Sequence, residues 1–212
     1  FFLRLHLPPE STLFPYTTLF RSGEPVELIE HDADDSRAAE EAGLKVIFGS
    51  ELEPRTLARA QIDARSCVVA LTANPSMNVL FARHVTDELP GPRVLAPIDP
   101  ETGDVVGDRG VGALFGTPVA LGAWIARWRR GQVELIRRVY AGTAPDAPLP
   151  TAPPDLLLPL VVERGDRVAL VDDRTRLSAG DVVELAVVSD RRAEADAYFA
   201  SGPWHEEAEL AA

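Results

Sequence analysis

Residues 23–100 alternate short apolar runs with segments of helical periodicity. The runs VELIE, KVIF, CVVALT and RVLAPI are rich in β-branched residues and nearly continuous in apolar positions. This is typical of strands in a parallel sheet that is covered on both faces. The segments between them carry charge on one side and Ala or Leu on the other, as amphipathic helices do. The pattern predicts an α/β fold in which a Rossmann-like nucleotide-binding domain spans residues 23–100.

The pattern changes after residue 100. Residues 101–142 are expected to form a helical connector, with an amphipathic helix from Pro118 and then a strand at QVELIRRVY. Trp124 and Trp128 share one face of that helix, and packing in the core is the simpler interpretation than a partner surface. Pro and Ala predict an extended spacer at 143–154. Short strands with turn sequences predict a small β-rich module at 155–190, and 191–212 are expected to form a terminal helix and an acidic tail.

Residues 1–22 do not continue this pattern. They hold much of the Phe of the chain, and no helical or strand period runs from them into Gly23. Residues 12–22, TLFPYTTLFRS, resemble the translation of a sequencing adapter, so we interpret residues 11–22 as foreign sequence. Residues 1–10 have an unknown origin, and the whole segment 1–22 is set aside as foreign to the fold. A signal peptide is the alternative, but charged residues and prolines interrupt its apolar stretch. We therefore expect a truncated sheet that lacks its first βα unit.

Composition and charge narrow the function classes. The formal net charge is -12, from 33 acidic residues against 21 Lys and Arg, which argues against binding to nucleic acid because phosphate neutralisation needs basic surface. No apolar run reaches the roughly 18 residues of a membrane span. The single cysteine, Cys67, lies in an apolar run and is expected to fill core space rather than to act as a nucleophile. A chain with no possible internal disulfide fits a reducing, cytoplasmic setting.

Acidic residues follow the first predicted strand, where open α/β sheets bind their ligands. A carboxylate of Glu30 or Asp32 can accept both ribose hydroxyls of a nucleotide, and its charge disfavours a 2′-phosphate. NAD(H), ATP or ADP is therefore expected in preference to NADP(H). The alternative is that Asp32 only caps the next helix.

Small and polar residues follow the next two strands. A small residue at Gly49 would let an adenine ring approach the backbone beside Ser50. The residues after the third strand, with their mostly short polar side chains, could line the same edge; they are Thr72, Ala73, Asn74 and Asn78. The alternative is that Thr72 and Asn74 only cap the following helix. The histidines are isolated and no paired ligands stand at metal spacing, so we expect neither catalytic residues nor a metal.

In order and spacing, VELIEHD, EEAG, KVIFGS, PRTLARAQI, SCVVALT and NPSMN resemble the regulator of K+ conductance family (RCK, or TrkA-N, domains). These are cytoplasmic nucleotide-binding domains of potassium channels, Trk-type uptake systems and cation/proton antiporters. The resemblance puts the ribose-binding acid on Glu30, the adenine-side glycine on Gly49 and the phosphate-proximal threonine on Thr72. Ser50 stands where the family has Asp, and the glycine-rich turn is absent, so weak nucleotide binding by this chain is expected.

The third block resembles the C-terminal (TrkA-C) module of the same family. The matching stretch is ERGDRVALVDDRTRLSAGDVVELAV, in which the family pattern falls on Thr175, Leu177, Gly180 and Asp181. Physically it predicts a tight turn, for which Gly180 supplies a permissive backbone and Asp181 a cap. Residues 101–142 look similar to the connector of cation/proton antiporters.

The resemblance implies a non-enzymatic, nucleotide-sensing regulatory domain of a monovalent cation (K+ or Na+) transport system, with a cation/proton antiporter as first choice. Its implied place is the cytoplasmic face of the cell membrane. Its implied partners are a membrane-embedded cation transporter, attached covalently or as a separate subunit, and a second copy that forms a homodimer through the Rossmann-like domain. The alternatives are a stand-alone regulatory subunit of a Trk-type potassium uptake system and a Rossmann-type NAD-dependent oxidoreductase.

Overall fold

The computed structural model describes residues 2–4, 25–89, 91–101 and 110–207, and for residues 2–4 it describes the backbone alone. The described chain forms a six-stranded sheet, a five-stranded sheet and a two-stranded ribbon. Every strand pair of the six-stranded sheet is parallel, and every pair of the five-stranded sheet is antiparallel. The predicted fold class, a parallel α/β sheet with a second, small β-rich module, is confirmed.

The parallel sheet has the strand order of doubly wound dinucleotide-binding folds. Its order is β3-β2-β1-β4-β5-β6, in which the direction of winding reverses between β1 and β4. The strands are β1 (Phe2–Arg4), β2 (Glu27–Glu30), β3 (Lys45–Phe48), β4 (Cys67–Val69), β5 (Arg93–Pro97) and β6 (Val111–Leu114). The helices that follow β2, β3 and β4 are α1 (Ala33–Glu41), α2 (Pro54–Arg59) and α3 (Pro75–Glu88), and a 3₁₀ turn spans Ile62–Ala64.

The centre of this sheet holds a strand that the sequence analysis did not anticipate. In β1, Leu3 lies opposite Leu28 of β2 and Val69 of β4. We expected the first strand to be missing, but the sheet has a strand in that place. Without it, β2 and β4 would each leave a row of backbone N–H and C=O groups unpaired in the middle of a sheet. The helix expected after this strand falls on residues 5–24, which lie outside the described residues.

Residues 101–142 are not a purely helical connector. They contribute β6 to the parallel sheet, which therefore extends beyond the predicted boundary at residue 100, and β7 (Val133–Tyr140) to the antiparallel sheet. The helix between them, α4 (Leu121–Arg129), begins later than the expected start at Pro118. The backbone N–H of Val119 donates to the carbonyl of Ile98 at 2.8 Å, which ties this stretch to the segment after β5 before the helix begins.

The antiparallel sheet forms the predicted β-rich module. Its order is β10-β9-β12-β7-β13, with β9 (Leu157–Arg164), β10 (Arg167–Leu170), β12 (Val182–Val188) and β13 (Trp204–Glu206). The ribbon pairs β8 (Ala147–Pro148) with β11 (Arg176–Leu177), so the expected spacer contains a short strand. A 3₁₀ turn, Ser189–Arg191, leads into α5 (Arg192–Ser201).

The chain after α5 begins with a strand. Trp204, in β13, lies opposite Tyr140 of β7, and its ring meets that of Tyr140 edge-to-face at 5.4 Å between centroids. A second edge-to-face contact, at 6.0 Å, joins Trp204 to Phe199 of α5. These aromatic contacts hold the strand, and they explain why Glu206, which falls in the expected acidic tail, belongs to a sheet.

A single apolar layer joins the two sheets. It contains side chains of the parallel sheet and of the antiparallel sheet, together with α4. Trp124 of α4 is only 1% exposed in this layer, and its indole Nε1–H donates to the carbonyl of Pro154 at 2.8 Å. Core packing of Trp124, the simpler of the two interpretations, is therefore confirmed.

Cys67 lies in the same apolar layer. Burial raises the pKa of its thiol to about 11, so the group stays protonated and unreactive near neutral pH. The expectation that Cys67 fills core space is confirmed.

Polar contacts also cross the joint between the sheets. The backbone N–H of Phe115 donates to the carbonyl of Val171 at 2.8 Å, and that of Asp173 donates to the carbonyl of Ala113 at 3.0 Å. The guanidinium of Arg93, in β5, forms an ion pair with the buried carboxylate of Asp172. Within the described ranges, no helix combines the length and apolar character needed to cross a bilayer.

We predict that Trp124→Ala lowers the free energy of unfolding by about 3–5 kcal/mol, because it leaves a large cavity in the shared layer. Trp128→Ala is the matched control, since Trp128 lies on the same helix and is only partly buried against that layer. Its cost should be about half as large or less. Urea unfolding of both variants measures the difference, and equal losses would contradict the assignment of Trp124 to the core.

Candidate functional site

Glu30 closes β2 at the carboxyl edge of the parallel sheet. Its side chain is fully buried, and its Oε1 atom accepts the backbone N–H groups of His31 at 2.7 Å and Asp32 at 2.9 Å. The structure thus places a buried carboxylate beside β1, at the edge where the winding of the sheet reverses.

Asp32 is the N-cap of α1. Its Oδ1 atom accepts the backbone N–H groups of Asp34 at 2.9 Å and Asp35 at 3.0 Å, which satisfies two amides that the first helical turn leaves unpaired. The alternative stated for Asp32, a capping role, is therefore confirmed. Its assignment to the ribose stays a prediction.

Gly49 and Ser50 follow β3 next to Glu30. The backbone N–H of Gly49 donates to the carbonyl of Glu30 at 3.0 Å, so the ends of the two strands are tied together. The φ angle of Gly49 is +152°, and a Cβ atom there would lie 2.5 Å from Oγ1 of Thr56. Packing against α2 is thus sufficient to require glycine, and an adenine contact at Gly49 stays a prediction. Ser50 is exposed.

Thr72 and Asn78 form a buried clamp on the other side of β1. Oδ1 of Asn78 accepts the backbone N–H of Thr72 at 2.7 Å, and Nδ2 of Asn78 donates to the carbonyl of Thr72 at 2.9 Å. Asn78 is 1% exposed and Thr72 is 6% exposed. The amide of Asn78 therefore fixes the backbone that leaves β4, a role that the sequence analysis did not assign to it.

Asn74 begins α3. Its Oδ1 atom accepts the backbone N–H of Met77 at 3.2 Å, which makes Asn74 the N-cap, as the alternative for this residue proposed. Thr72 does not cap the helix directly: its hydroxyl donates to the carbonyl of Asn74 at 3.1 Å and accepts the N–H of Asn74. The carbonyl of Ala73 lies against Gly122, close to the start of α4.

The candidate residues thus fall into two groups at one edge of the sheet. One group follows β2 and β3, the other follows β4, and β1 lies between them. Both α1 and α3 begin at this edge, so the positive ends of two helix dipoles face it. The arrangement offers a carboxylate for hydroxyl groups and helix N-termini for an anion. Residues 5–24, where a phosphate-binding turn would follow β1, lie outside the described residues, and their only glycine is Gly23.

A second buried acid at this edge, Glu51, was not predicted from the sequence. Glu51 directly follows Ser50 and is 2% exposed. The available signal was an acidic residue in the short loop between β3, which ends at Phe48, and α2, which begins at Pro54.

The opposite end of β2 carries a different carboxylate. The carboxylate of Glu27 accepts a hydrogen bond from Nζ of Lys45 at 2.5 Å and another from Nη2 of Arg65 at 2.7 Å. Burial alone would raise the pKa of Glu27, but these two cations outweigh it and the pKa is lowered. Glu27 is thus a structural ion-pair partner at the amino edge, away from the candidate site.

The turn expected in the β-rich module is confirmed. Gly180 has a φ angle of +92°, and a carboxylate oxygen of Asp181 accepts the backbone N–H of Ser178 at 2.8 Å. Arg164 donates to both oxygens of Asp181, at 2.8 and 2.6 Å. Burial opposes ionisation of Asp181, yet these hydrogen bonds hold its pKa below the usual value.

The sheet order and the buried acid define a doubly wound α/β domain. Its candidate nucleotide-binding site lies at the carboxyl edge of the parallel sheet, around Glu30, and is called the nucleotide edge below. Comparison with protein families agrees: the model of the TrkA-N domain family matches residues 16–113. The matched span contains every candidate residue at the carboxyl edge of the parallel sheet and ends within β6. It begins inside the segment 1–22, whose foreign origin stays a prediction.

Solved structures similar to this chain include RCK domains. The GsuK RCK domain is 17% identical, with a TM-score of 0.40, and the match covers 94% of this chain and 46% of that one. The GsuK channel is 16% identical (TM-score 0.46; 92% and 38% covered), and the GsuK channel bound to NAD is 18% identical (TM-score 0.41; 94% and 38% covered). The chain spans less than half the length of each. The comparison with curated proteins gives no match.

We predict that Asn78→Leu lowers the free energy of unfolding by about 2–5 kcal/mol, because two buried backbone groups of Thr72 lose their partners. Asn74→Ala removes a cap at an exposed position of the same helix and should cost about 1 kcal/mol. Chemical denaturation of both variants gives the comparison. A cost for Asn78→Leu no larger than that for Asn74→Ala would show that the clamp is not needed for folding.

Proposed function

We propose that this chain is a nucleotide-sensing regulatory domain of a monovalent cation transport system, and specifically of a cation/proton antiporter. The observation that carries the proposal is Glu30, a buried carboxylate at the carboxyl end of β2 in a sheet of order β3-β2-β1-β4-β5-β6. In such sheets this position meets the ribose of a bound nucleotide. The TrkA-N family match over residues 16–113 supports the regulatory class.

The proposed ligand is an adenine nucleotide that has free ribose hydroxyls: NAD(H), ATP or ADP. The Glu30 carboxylate would accept hydrogen bonds from the ribose hydroxyls, and its negative charge would repel a 2′-phosphate. The helix N-termini at the same edge favour the phosphates. Ser50, in the place where the family has Asp, supplies no second acid on the adenine side, so binding by this chain is expected to be weak.

Regulation suits this edge better than catalysis. Among the described residues of the edge, the polar side chains hold the backbone: Asp32 and Asn74 cap helices, and Asn78 clamps Thr72. A general acid and base would have to reach a substrate instead. The proposed output is a shift between conformations, because a ligand favours whichever state it binds more tightly.

The transport partner is proposed from the resemblance of residues 101–142 to an antiporter connector. In this chain that stretch provides β6, α4 and β7, so it belongs to both sheets. A change at the nucleotide edge would reach a membrane-embedded transporter through such a shared element. A homodimer through the parallel-sheet domain, at the cytoplasmic face of the membrane, completes the proposal.

We predict that the chain binds NADH at least about tenfold more tightly than NADPH, because the 2′-phosphate would face the Glu30 carboxylate. Glu30→Gln should weaken NADH binding by about tenfold or more and should narrow the preference over NADPH. Calorimetric titration of both nucleotides measures the two effects. Incubation with NADH should produce no turnover.

Glu27→Gln is the matched control for this experiment. It removes the same charge from the same strand, but at the amino edge, and should leave both affinities within about threefold of those of the unsubstituted chain. The ribose assignment fails if Glu30→Gln keeps the NADH affinity and the preference intact. Redox turnover with NADH would count against the regulatory function as a whole.

A further inference from the structure

A cleft at the joint between the two sheets gathers arginine side chains. It has a volume of about 290 Å³ and lies against β9, β10 and the segment before β11. Five arginines and one aspartate supply its charged lining: Arg93, Arg164, Arg167, Arg174, Arg176 and Asp172. We call it the arginine cleft. In a chain of net charge -12, such a concentration of positive charge needs a physical reason.

Two of these arginines are held in place by their neighbours. Arg164 donates to both carboxylate oxygens of Asp181 and also to the carbonyl of Arg176 at 2.9 Å. Arg176 donates to the carbonyls of Thr175 at 2.9 Å and Asp173 at 3.4 Å. Arg176 therefore has only neutral acceptors among the described residues, and its charge is not compensated locally.

Arg167 and Arg174 have no carboxylate partner within the described part of the chain. Neither guanidinium takes part in a side-chain hydrogen bond or an ion pair there, and both residues are exposed. The backbone of Arg174 is fixed, since its N–H donates to Oδ1 of Asp172 at 2.9 Å. The cleft thus combines anchored cations with two cations that are available to a ligand.

The single carboxylate of the cleft is already engaged. Asp172 is 3% exposed, pairs with Arg93 of the parallel sheet, and accepts the hydroxyl of Thr175 at 3.2 Å through Oδ1. Arg93 comes from β5, whereas the other four arginines come from the β-rich module. An anion in the cleft would therefore contact both units at once and compete with Asp172 for Arg93.

We propose that the arginine cleft is a binding site for a small phosphate-bearing anion, separate from the nucleotide edge. Guanidinium groups bind phosphate oxygens through paired, charge-assisted hydrogen bonds. The volume lies at the low end of the range for small-molecule sites, which suits a diphosphate group or a short phosphorylated metabolite rather than a whole dinucleotide. Because the anion engages Arg93, its binding stabilises one arrangement of the two units over others.

Titration of the whole chain with inorganic pyrophosphate tests this site. We expect saturable binding at one site per chain, and a rise in the unfolding temperature with pyrophosphate concentration. The double variant Arg167→Ala/Arg174→Ala should weaken binding by about tenfold or more. Arg167→Lys/Arg174→Lys keeps the charge but loses the paired hydrogen-bond geometry of guanidinium. Its pyrophosphate affinity should lie between that of the unsubstituted chain and that of the alanine double variant.

The matched control removes the same charge elsewhere. Arg55 and Arg83 are exposed positions on α2 and α3, and Arg55→Ala/Arg83→Ala should leave pyrophosphate affinity within about twofold. Glu30→Gln should also leave it unchanged, so the nucleotide proposal and this one can fail separately. The exposed arginine variants should keep the unfolding temperature of the parent chain when no ligand is present.

Two results would overturn the proposal. One is the absence of saturable pyrophosphate binding by the unsubstituted chain. The other is an equal loss in the cleft variant and in the Arg55/Arg83 control, which would reduce the effect to unspecific charge attraction.

Discussion

The two sheets of this protein bury their facing surfaces in one apolar layer, and the other features depend on that shared burial. Removal of apolar surface from water is the main driving force of folding, and here neither sheet can complete its burial without the other. Trp124 lies in this layer and is bonded to the carbonyl of Pro154. The layer fixes the relative position of β5 and the β-rich module, and with it the approach of Arg93 to Asp172.

The candidate nucleotide edge shows how one residue can serve both fold and ligand. Its polar side chains are mostly engaged with backbone groups: Glu30 with the turn after β2, Asn78 with the turn after β4. Such bonds make the edge rigid before any ligand arrives, and preorganisation of this kind reduces the entropic cost of binding. The proposed sensor would therefore bind its ligand at a rigid edge. Its conformational change would occur at the contact between the two sheets rather than at the edge itself.

Local patterns were sufficient for much of the fold, and long-range partners explain the rest. Continuous apolar runs predicted β2 to β5, and the Gly180–Asp181 turn followed from local backbone chemistry. β1 and β13 were not predicted because each has only three residues, too few to show the two-residue alternation of a strand. They are strands only because they pair with neighbouring strands. Glu30 could be proposed from its place after a strand. The clamp by Asn78 could not, nor could the arginine cleft, since its arginines are brought together from β5 and from separate parts of the β-rich module.

The contact between β6 and the β-rich module has a further consequence. β6 is an edge strand of the parallel sheet. The unpaired backbone groups of an edge strand can form hydrogen bonds with a strand of another chain. Here the β-rich module covers the outer side of β6. Leu114 forms an antiparallel bridge with Asp172, and the backbone N–H of Phe115 donates a hydrogen bond to the carbonyl of Val171. The module therefore shields its neighbour from self-association. Any movement that separates the two units would expose the unpaired backbone groups of β6, and separation of the units would therefore favour aggregation.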